Sequence, residues 1–175
     1  MTELAVLLAI AFSSQFDASD AGIGGRVGWQ AGPPVTVEAE VVHYPSHFPD
    51  RPAFSRARLE GLFGVTWGPR LGRVRPFARV RPGFLRVQAA PEPLACIAIF
   101  PPPLTCVLAS GRTLTAFDLG GGVDISAGER TFVRIDGGDR LVMYPGPVFD
   151  TDRTVHDEAF FGHDVRIAVG GGIRF

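Results

Sequence analysis

The densest set of charged side chains lies in residues 73–87, RVRPFARVRPGFLRV, which contain five arginines among prolines and phenylalanines. Basic residues mixed with aromatic ones are typical of nucleic-acid surfaces. Successive side chains of a β-strand point to opposite faces, however, and here Arg75, Arg79 and Arg81 share one face while the alternate residues are apolar. The formal net charge of −1 shows no overall basic excess. The segment is therefore interpreted as a strand with one cationic face, and no nucleic-acid partner is expected.

Two cysteines, Cys96 and Cys106, lie in the long Pro-rich stretch PEPLACIAIFPPPLTCVLASG. In an exported protein, two cysteines in one exposed loop predict a disulfide. The alternative is a pair of free thiols packed among apolar residues. The spacing matches no redox or zinc motif, so neither chemistry is expected.

The histidines indicate no defined site. His43 and His47 with Asp50 could hold a metal, but ordinary surface histidines are the simpler interpretation. A lipid-modifying enzyme would need a nucleophile, a base and a carboxylate. The residues that could supply them are His156, Asp157 and Glu158, with Ser46 or Ser110 as nucleophile. Nothing in their spacing selects them, so we expect no enzyme, no cofactor and no metal.

Period-two alternation recurs along the whole chain and predicts eight strands. They cover residues 3–13, 21–30, 35–44, 54–68, 73–88, 112–126, 131–143 and 163–175. The first, an apolar run behind Met1, could instead be a signal remnant, but MTE carries no positive charge. The connections alternate between short and long, as expected for an up-and-down meander with tight turns at one end. The sequence predicts one all-β domain over residues 1–175, an eight-stranded antiparallel up-and-down transmembrane barrel with short periplasmic turns and long extracellular loops.

The alternation divides the strands into an apolar face and a charged face. Glycines share the charged face, which indicates that it points into the narrow interior of an eight-stranded barrel. The expected lumenal polar network consists of Arg26, Glu38, Glu40, Arg56, Arg58, Glu60, Arg75, Arg79, Arg81, Asp118, Asp124, Arg134, Asp136, Arg140, Asp164, Arg166 and Arg174.

Three features do not fit this scheme without adjustment. Pro76 and Pro82 lack backbone donors in a strand that should be fully paired, and bulges could absorb them. Arg86 and Asp139 fall on the apolar face if the alternation is unbroken. Placement near a membrane interface, or a bulge that shifts the phase, would accommodate these two charges.

Aromatic residues predict the membrane interfaces. Trp29 and Trp67 lie on the apolar face beside short turns, and Tyr44, Phe54 and Tyr144 lie near the long loops. Tryptophan and tyrosine concentrate at both membrane–water interfaces. The two groups are therefore expected to form two girdles.

The ending VRIAVGGGIRF resembles the C-terminal strand of bacterial outer-membrane barrels, and LEGLFGV, RPFARVRPGFL and FVRIDGGDRLVMY are similar to segments of the small OmpA/OmpX-type family. The resemblance extends from about Ala21 to Phe175. It implies the bacterial cell outer membrane of a Gram-negative organism as the location and outer-membrane lipid as the surroundings. It also implies recognition of the last strand, with Phe175 as its signal, by the barrel assembly machinery.

The expected function is a structural or interaction role, in which a rigid barrel presents loops 89–111 and 144–162 to an unknown extracellular partner. Three alternatives remain open. They are a narrow passive pore for ions or small solutes, a lipid A-modifying enzyme, and a soluble lipocalin-like barrel that binds a hydrophobic ligand.

Overall fold

The computed structural model describes residues 1–13, 18–45, 47–48, 57–88, 95–97, 105–107, 111–145, 148–149, 155–156 and 158–175. The long strands are β1 (Thr2–Ser13), β2 (Ala18–Gly32), β3 (Val35–Tyr44), β5 (Arg58–Trp67), β6 (Val74–Val87), β9 (Arg112–Ser126), β10 (Thr131–Tyr144) and β13 (Phe160–Arg174). The short strands are β4 (His47–Phe48), β7 (Ala95–Ile97), β8 (Thr105–Val107), β11 (Val148–Phe149) and β12 (Val155–His156). Within the described ranges, no helix is long and apolar enough to cross a membrane.

The long strands form one closed barrel. Each pairs antiparallel with the next along the chain, and β1 pairs with β13 as well as with β2, which closes the sheet. The predicted all-β, eight-stranded, up-and-down barrel is thus confirmed. Closure leaves no free sheet edge among the long strands, and every one of them can pair its backbone on both sides.

The register determines how strongly the strands tilt. The register pairs can be followed from strand to strand around the barrel. A path that starts at Thr2 returns to β1 at Phe12, ten residues further along. The residues on this path are Trp29, Val37, Val65, Val80, Leu119, Asp139 and Val165. With eight strands, a shift of this size corresponds to a tilt of roughly 40° from the barrel axis. An interior of this width can be filled by side chains.

The connections distinguish the two ends of the barrel. At one end, here the turn end, the strands are joined by residues 33–34, 68–73 and 127–130. At the other, the loop end, the connections are residues 14–17, 45–57, 88–111 and 145–159. β3 and β9 have the predicted boundaries, whereas β2 begins at Ala18, three residues before its predicted start. The first connection at the loop end is therefore short.

β6 accommodates its two prolines without a bulge. The β6–β9 register runs from Val74↔Ile125 to Val87↔Arg112 without a shift, and Pro76 and Pro82 both point outward. Pro76 lies beyond the last β5–β6 pair, Trp67↔Ala78, and the β5–β6 ladder is interrupted opposite Pro82. The strand accommodates its prolines by giving up local pairing with β5, so the phase of its side chains is preserved.

Candidate functional site

The barrel interior holds a charge-balanced set of buried side chains. Within the described part of the chain, nine arginines and nine carboxylates are buried. The arginines are Arg26, Arg58, Arg75, Arg79, Arg81, Arg134, Arg140, Arg166 and Arg174, and the acids are Glu3, Asp20, Glu38, Glu40, Glu60, Asp118, Asp124, Asp136 and Asp164. All sixteen described members of the expected network are in this set, and Arg56 lies outside the described residues.

Arg81 on β6 pairs with three carboxylates. Its guanidinium donates to Glu38 at 3.1 Å, to Glu40 at 3.0 Å and to Asp118 at 2.8 Å. Glu38 and Glu40 are on β3 and Asp118 is on β9, so one side chain links three strands. The planar fork of arginine suits such multiple contacts, because its five donors are held in fixed directions.

Arg79 and Arg134 extend this central layer across the lumen. Arg79 donates to Asp118 at 2.7 Å and also pairs with Asp136 on β10. Arg134, also on β10, donates to Glu38 at 3.0 Å and to Asp136 at 3.2 Å. The Arg134–Glu38 bond joins strands on opposite sides of the barrel, so the charges bridge the lumen rather than line its wall.

A second layer of pairs lies towards the loop end. Arg140 donates to Asp164 at 2.6 Å and also pairs with Glu60. Arg166 lies 3.2 Å from Glu60 and pairs with Glu40, which connects this layer to the central one. At the same end, Arg58 and Asp20 form a further pair at 2.5 Å; both residues are buried.

A third layer closes the turn end. Arg174 donates to Glu3 at 2.8 Å and joins the last strand to the first. Arg75 lies 3.0 Å from Asp124 and donates to the Thr36 hydroxyl at 3.0 Å. Two phenylalanines pack into the same region, with the Arg134 guanidinium 3.9 Å above the Phe77 ring and Arg174 4.3 Å above that of Phe132. Such cation–π contacts add to the ion pairs.

Tyr44 and Tyr144 face the interior, so their expected place in an outer girdle is wrong. Tyr44 is 1% exposed, and its hydroxyl accepts a hydrogen bond from Arg166 at 3.4 Å. Residues that are an even number of positions apart on a strand share a face, and Tyr44 stands in this relation to the buried Glu40 on β3. Phe54, the third residue of that group, lies outside the described residues.

Apolar side chains fill the interior between and above the charges. Two buried clusters contain Leu7, Ala9, Ala11, Val42, Tyr44 and Ala168, and Leu85, Leu114, Val142 and Tyr144. Glycines on neighbouring strands make room for the rings. A Cβ on Gly22 would lie 2.6 Å from Tyr44 Cδ1, and one on Gly172 would lie 2.8 Å from Phe132 Cζ. Ala5, Leu7, Ala9 and Ala11 of β1 are buried and face the interior.

Sequence reasoning missed Glu3 and Asp20. Glu3 has the same odd parity as the inward Ala5 and Leu7, and it is the register partner of Arg174. Extending the β1 alternation by one step would have found it. Asp20 is on the same face of β2 as Arg26. It was not included in the expected network because the predicted strand begins after it.

The remaining predicted residues lie elsewhere. Trp29 and Trp67 point outward near the turn end, 58% and 59% exposed, and Phe175 follows β13 on the outward face. Cys96 and Cys106 are direct register partners in the β7–β8 hairpin, and the disulfide stays a prediction. His43 faces outward on β3, whereas Asp50, Ser46, Ser110 and Asp157 lie outside the described residues. In the described ranges, no group of three or more metal-ligating side chains is gathered.

The buried charges of the network are paired with one another. A buried charge is tolerated when it is paired, and removing one partner of a buried pair is costly because the other is left uncompensated. Each buried arginine has at least one carboxylate within 4.0 Å. The charge of each buried arginine is therefore compensated by a carboxylate within the barrel.

Comparison with solved structures identifies the same architecture. The N-terminal β-barrel domain of Pseudomonas aeruginosa OprF is 10% identical with a TM-score of 0.55, covering 99% of this chain and 97% of that chain. Neisserial surface protein A (NspA) is 14% identical with a TM-score of 0.58, covering 99% and 96%. Ail, the attachment invasion locus protein of Yersinia pestis, is 10% identical with a TM-score of 0.51, also covering 99% and 96%.

All three are eight-stranded outer-membrane barrels, the architecture that the sequence resemblance implied. At these identities the likeness shows the fold. No protein-family model matches the chain, and no curated protein matches it in sequence.

Proposed function

We propose that this chain is an integral β-barrel of the bacterial outer membrane, with a structural or interaction role rather than an enzymatic one. The observation that carries the proposal is the distribution of polarity between the two faces of the barrel. The interior holds nine arginines and nine carboxylates, whereas large apolar side chains cover the outer surface along every long strand. A lipid environment favours this arrangement, because lipid solvates an apolar exterior and a closed sheet satisfies every backbone group internally.

The soluble lipocalin-like alternative requires the opposite distribution. Such a barrel binds its ligand in an apolar interior and presents polar residues to water. Here Val6, Leu8 and Phe63 are each at least 60% exposed on the outside, while Arg81 and Arg166 are fully buried inside. An exposed apolar surface that surrounds the whole molecule would promote aggregation in water.

The filled lumen favours presentation of loops over passage of solutes. Three interior layers of ion pairs and two apolar clusters occupy the described length of the barrel, and Arg134 and Glu38 bridge its width. At the loop end, the hairpins β7–β8 and β11–β12 belong to the proposed presenting loops 89–111 and 144–162. Loops on a rigid scaffold are where binding tends to reside. The names of two similar proteins, a surface protein and an attachment protein, are compatible with this role.

The proposal has a direct test in refolding. The urea-unfolded chain is diluted into detergent or lipid vesicles and run on SDS gels before and after boiling, with β-type circular dichroism as a second measurement. We expect a faster-migrating unboiled band, because a closed barrel without a free sheet edge resists SDS until heated. Unshifted, monodisperse protein that is stable without detergent would overturn the membrane assignment.

Two further assays separate the roles that a membrane barrel could have. Planar-bilayer recording should show no stable conductance for the parent chain if the lumen is closed. Incubation with lipid A should release no acyl chains if the chain is not a lipid-modifying enzyme. Steady conductance would favour the narrow pore, and acyl release would favour the enzyme.

A further inference from the structure

We infer that the turn end carries a binding site for the phosphate group of anionic phospholipids, formed by Arg70, Arg73 and Arg130. This inference rests on the proposed membrane location and extends it to a specific lipid chemistry. The three residues are here called the rim arginines. All three are exposed, in contrast to the nine arginines buried within the barrel.

The topology brings the rim arginines to one arc of the barrel end. Arg70 and Arg73 belong to the β5–β6 connection, where Leu71 and Val74 exchange two backbone hydrogen bonds of 2.8 and 3.2 Å. Gly72, with a φ of 64°, occupies the left-handed conformation that this tight turn needs. The turn therefore holds the two arginines on either side of a short, defined tip.

Arg130 lies in the adjacent turn. The Arg73 carbonyl accepts a hydrogen bond from Ser126 N at 2.8 Å, which ties the β5–β6 turn to the end of β9. Arg130 precedes β10, the next strand, and its own carbonyl accepts from Arg174 N at 2.7 Å. The backbones at Arg73 and Arg130 are thus about two strand spacings apart, roughly 10 Å. This separation is within the reach of two arginine side chains toward one phosphate or two neighbouring ones.

The side chains of this arc carry a net positive charge. Glu129 is its one acidic side chain, and none of the rim arginines lies within salt-bridge distance of a described carboxylate. The neighbouring turn, residues 33–34, and the end of β2 before it at Ala31 and Gly32 carry no charge. A net positive arc at one side of the rim attracts anionic groups, and guanidinium groups bind phosphate through paired hydrogen bonds.

The apolar residues beside the rim arginines make a lipid a better occupant than a free anion. Leu71 and Trp67 are 64% and 59% exposed, and Val74, the bridge partner of Leu71, is 40% exposed. Tryptophan prefers the headgroup level of a bilayer. Acyl chains can therefore contact Trp67, Leu71 and Val74 while the phosphate reaches the arginines, an arrangement that inorganic phosphate cannot reproduce.

The test uses tryptophan fluorescence, because the chain has two tryptophans. Trp29→Phe leaves Trp67 as the reporter beside the rim arginines, and Trp67→Phe leaves Trp29, at the same end but on β2, as the matched control. Each protein is refolded into phosphatidylcholine vesicles containing either phosphatidylglycerol or phosphatidylethanolamine, labelled on the acyl chain with a nitroxide quencher. We expect phosphatidylglycerol to be preferred at Trp67 by roughly three- to tenfold, with little preference at Trp29.

Replacing the rim arginines (Arg70→Gln, Arg73→Gln and Arg130→Gln together) should abolish the preference at Trp67. The turns are exposed, so the variant should still refold, which the SDS gel shift verifies. Equal quenching by both lipids in the parent, or an unchanged preference in the triple variant, would overturn the inference. Loss of the preference in inorganic phosphate, but not in chloride of equal ionic strength, would identify a free-anion site and overturn the lipid assignment. Absence of quenching by any lipid would instead contradict the proposed membrane location.

Discussion

The Asp139 carboxylate and the His163 imidazole are hydrogen-bonded on the outer surface of the barrel, with 2.7 Å between Oδ2 and Nδ1. Asp139 is on β10 and His163 on β13, where they are diagonal neighbours, since the register partner of Asp139 is Val165. Their side chains are 43% and 63% exposed. The alternation of inward and outward side chains along β10 is unbroken, so Asp139 stays on the apolar face. Its partner there is His163 on the neighbouring strand.

We predict that His163→Ala destabilises the folded barrel in lipid vesicles by about 1–3 kcal/mol, because it leaves the Asp139 carboxylate unpaired in an apolar surface. Equilibrium unfolding in urea measures the change. His43→Ala, which removes another outward histidine, is the control and should have little effect. The double variant Asp139→Leu/His163→Leu should recover the parent stability, since replacing both partners by apolar groups can be nearly neutral. An equal loss of unfolding free energy in His163→Ala and His43→Ala would contradict the pairing of Asp139 with His163.

Arg81 and Arg86 provide a matched comparison on β6. Arg81→Met should cost about 3–5 kcal/mol of unfolding free energy, because Glu38, Glu40 and Asp118 lose a shared buried partner. Arg86→Met, the same substitution at an exposed outward position, should change the stability by less than about 0.5 kcal/mol. Similar effects at both positions would show that the interior network contributes little to the stability of the barrel.

The pairing of β1 with β13, here called the seam, closes the barrel, and it predicts local changes in hydrogen exchange. Thr2 and Phe175 exchange backbone hydrogen bonds of 3.2 and 2.9 Å, and the Arg174–Glu3 pair lies next to them. Glu3→Leu should therefore raise the exchange rates of these two amides by about tenfold or more, equivalent to about 1.4 kcal/mol of local stability. Glu129→Leu, in an exposed turn, is the control. Unchanged rates at the seam would mean that the first and last strands close without this pair.

The β7–β8 hairpin predicts an oxidised cysteine pair. Opposed residues of an antiparallel pair have Cα atoms about 4.5–5.5 Å apart, within the range that a disulfide spans, and Cys96 and Cys106 are such partners. We expect both thiols to resist alkylation until a reductant is added, as read by mass spectrometry. Cys96→Ser should expose Cys106 to alkylation without changing the gel shift of the barrel, because the hairpin is separate from the barrel sheet. Rapid alkylation of the unreduced parent would disprove the disulfide.

Much of the fold follows from local pattern. Alternation located the eight strands, and it assigned side chains such as Glu38 and Arg81 to the same face, because the period of a strand is fixed by its backbone. The same rule places Tyr44 with Glu40 and Glu3 with Ala5. The preference of a residue type for one environment is weaker evidence for the direction of its side chain than alternation is. A tyrosine near a loop can lie at a membrane interface or fill a barrel lumen.

Strand ends and proline positions were less predictable. Whether Pro82 causes a bulge depends on the bonds that β5 gives up opposite it, and that choice is made between strands rather than within one. The start of β2 at Ala18 likewise depends on its pairing with Ser13 of β1. Local composition carries little information about either.

The sequence by itself determined the number of strands, their two faces and the residue types on each, because period-two alternation is a local property of the backbone. Only the tertiary structure decided which residues become partners. Arg134 meets Glu38 across 96 positions of sequence, and Arg174 meets Glu3 across 171. Asp139 meets His163 only because β10 and β13 are neighbours. Closure of the sheet with a ten-residue shift brings these groups together, and that shift is the sum of eight pairings, which no single segment encodes.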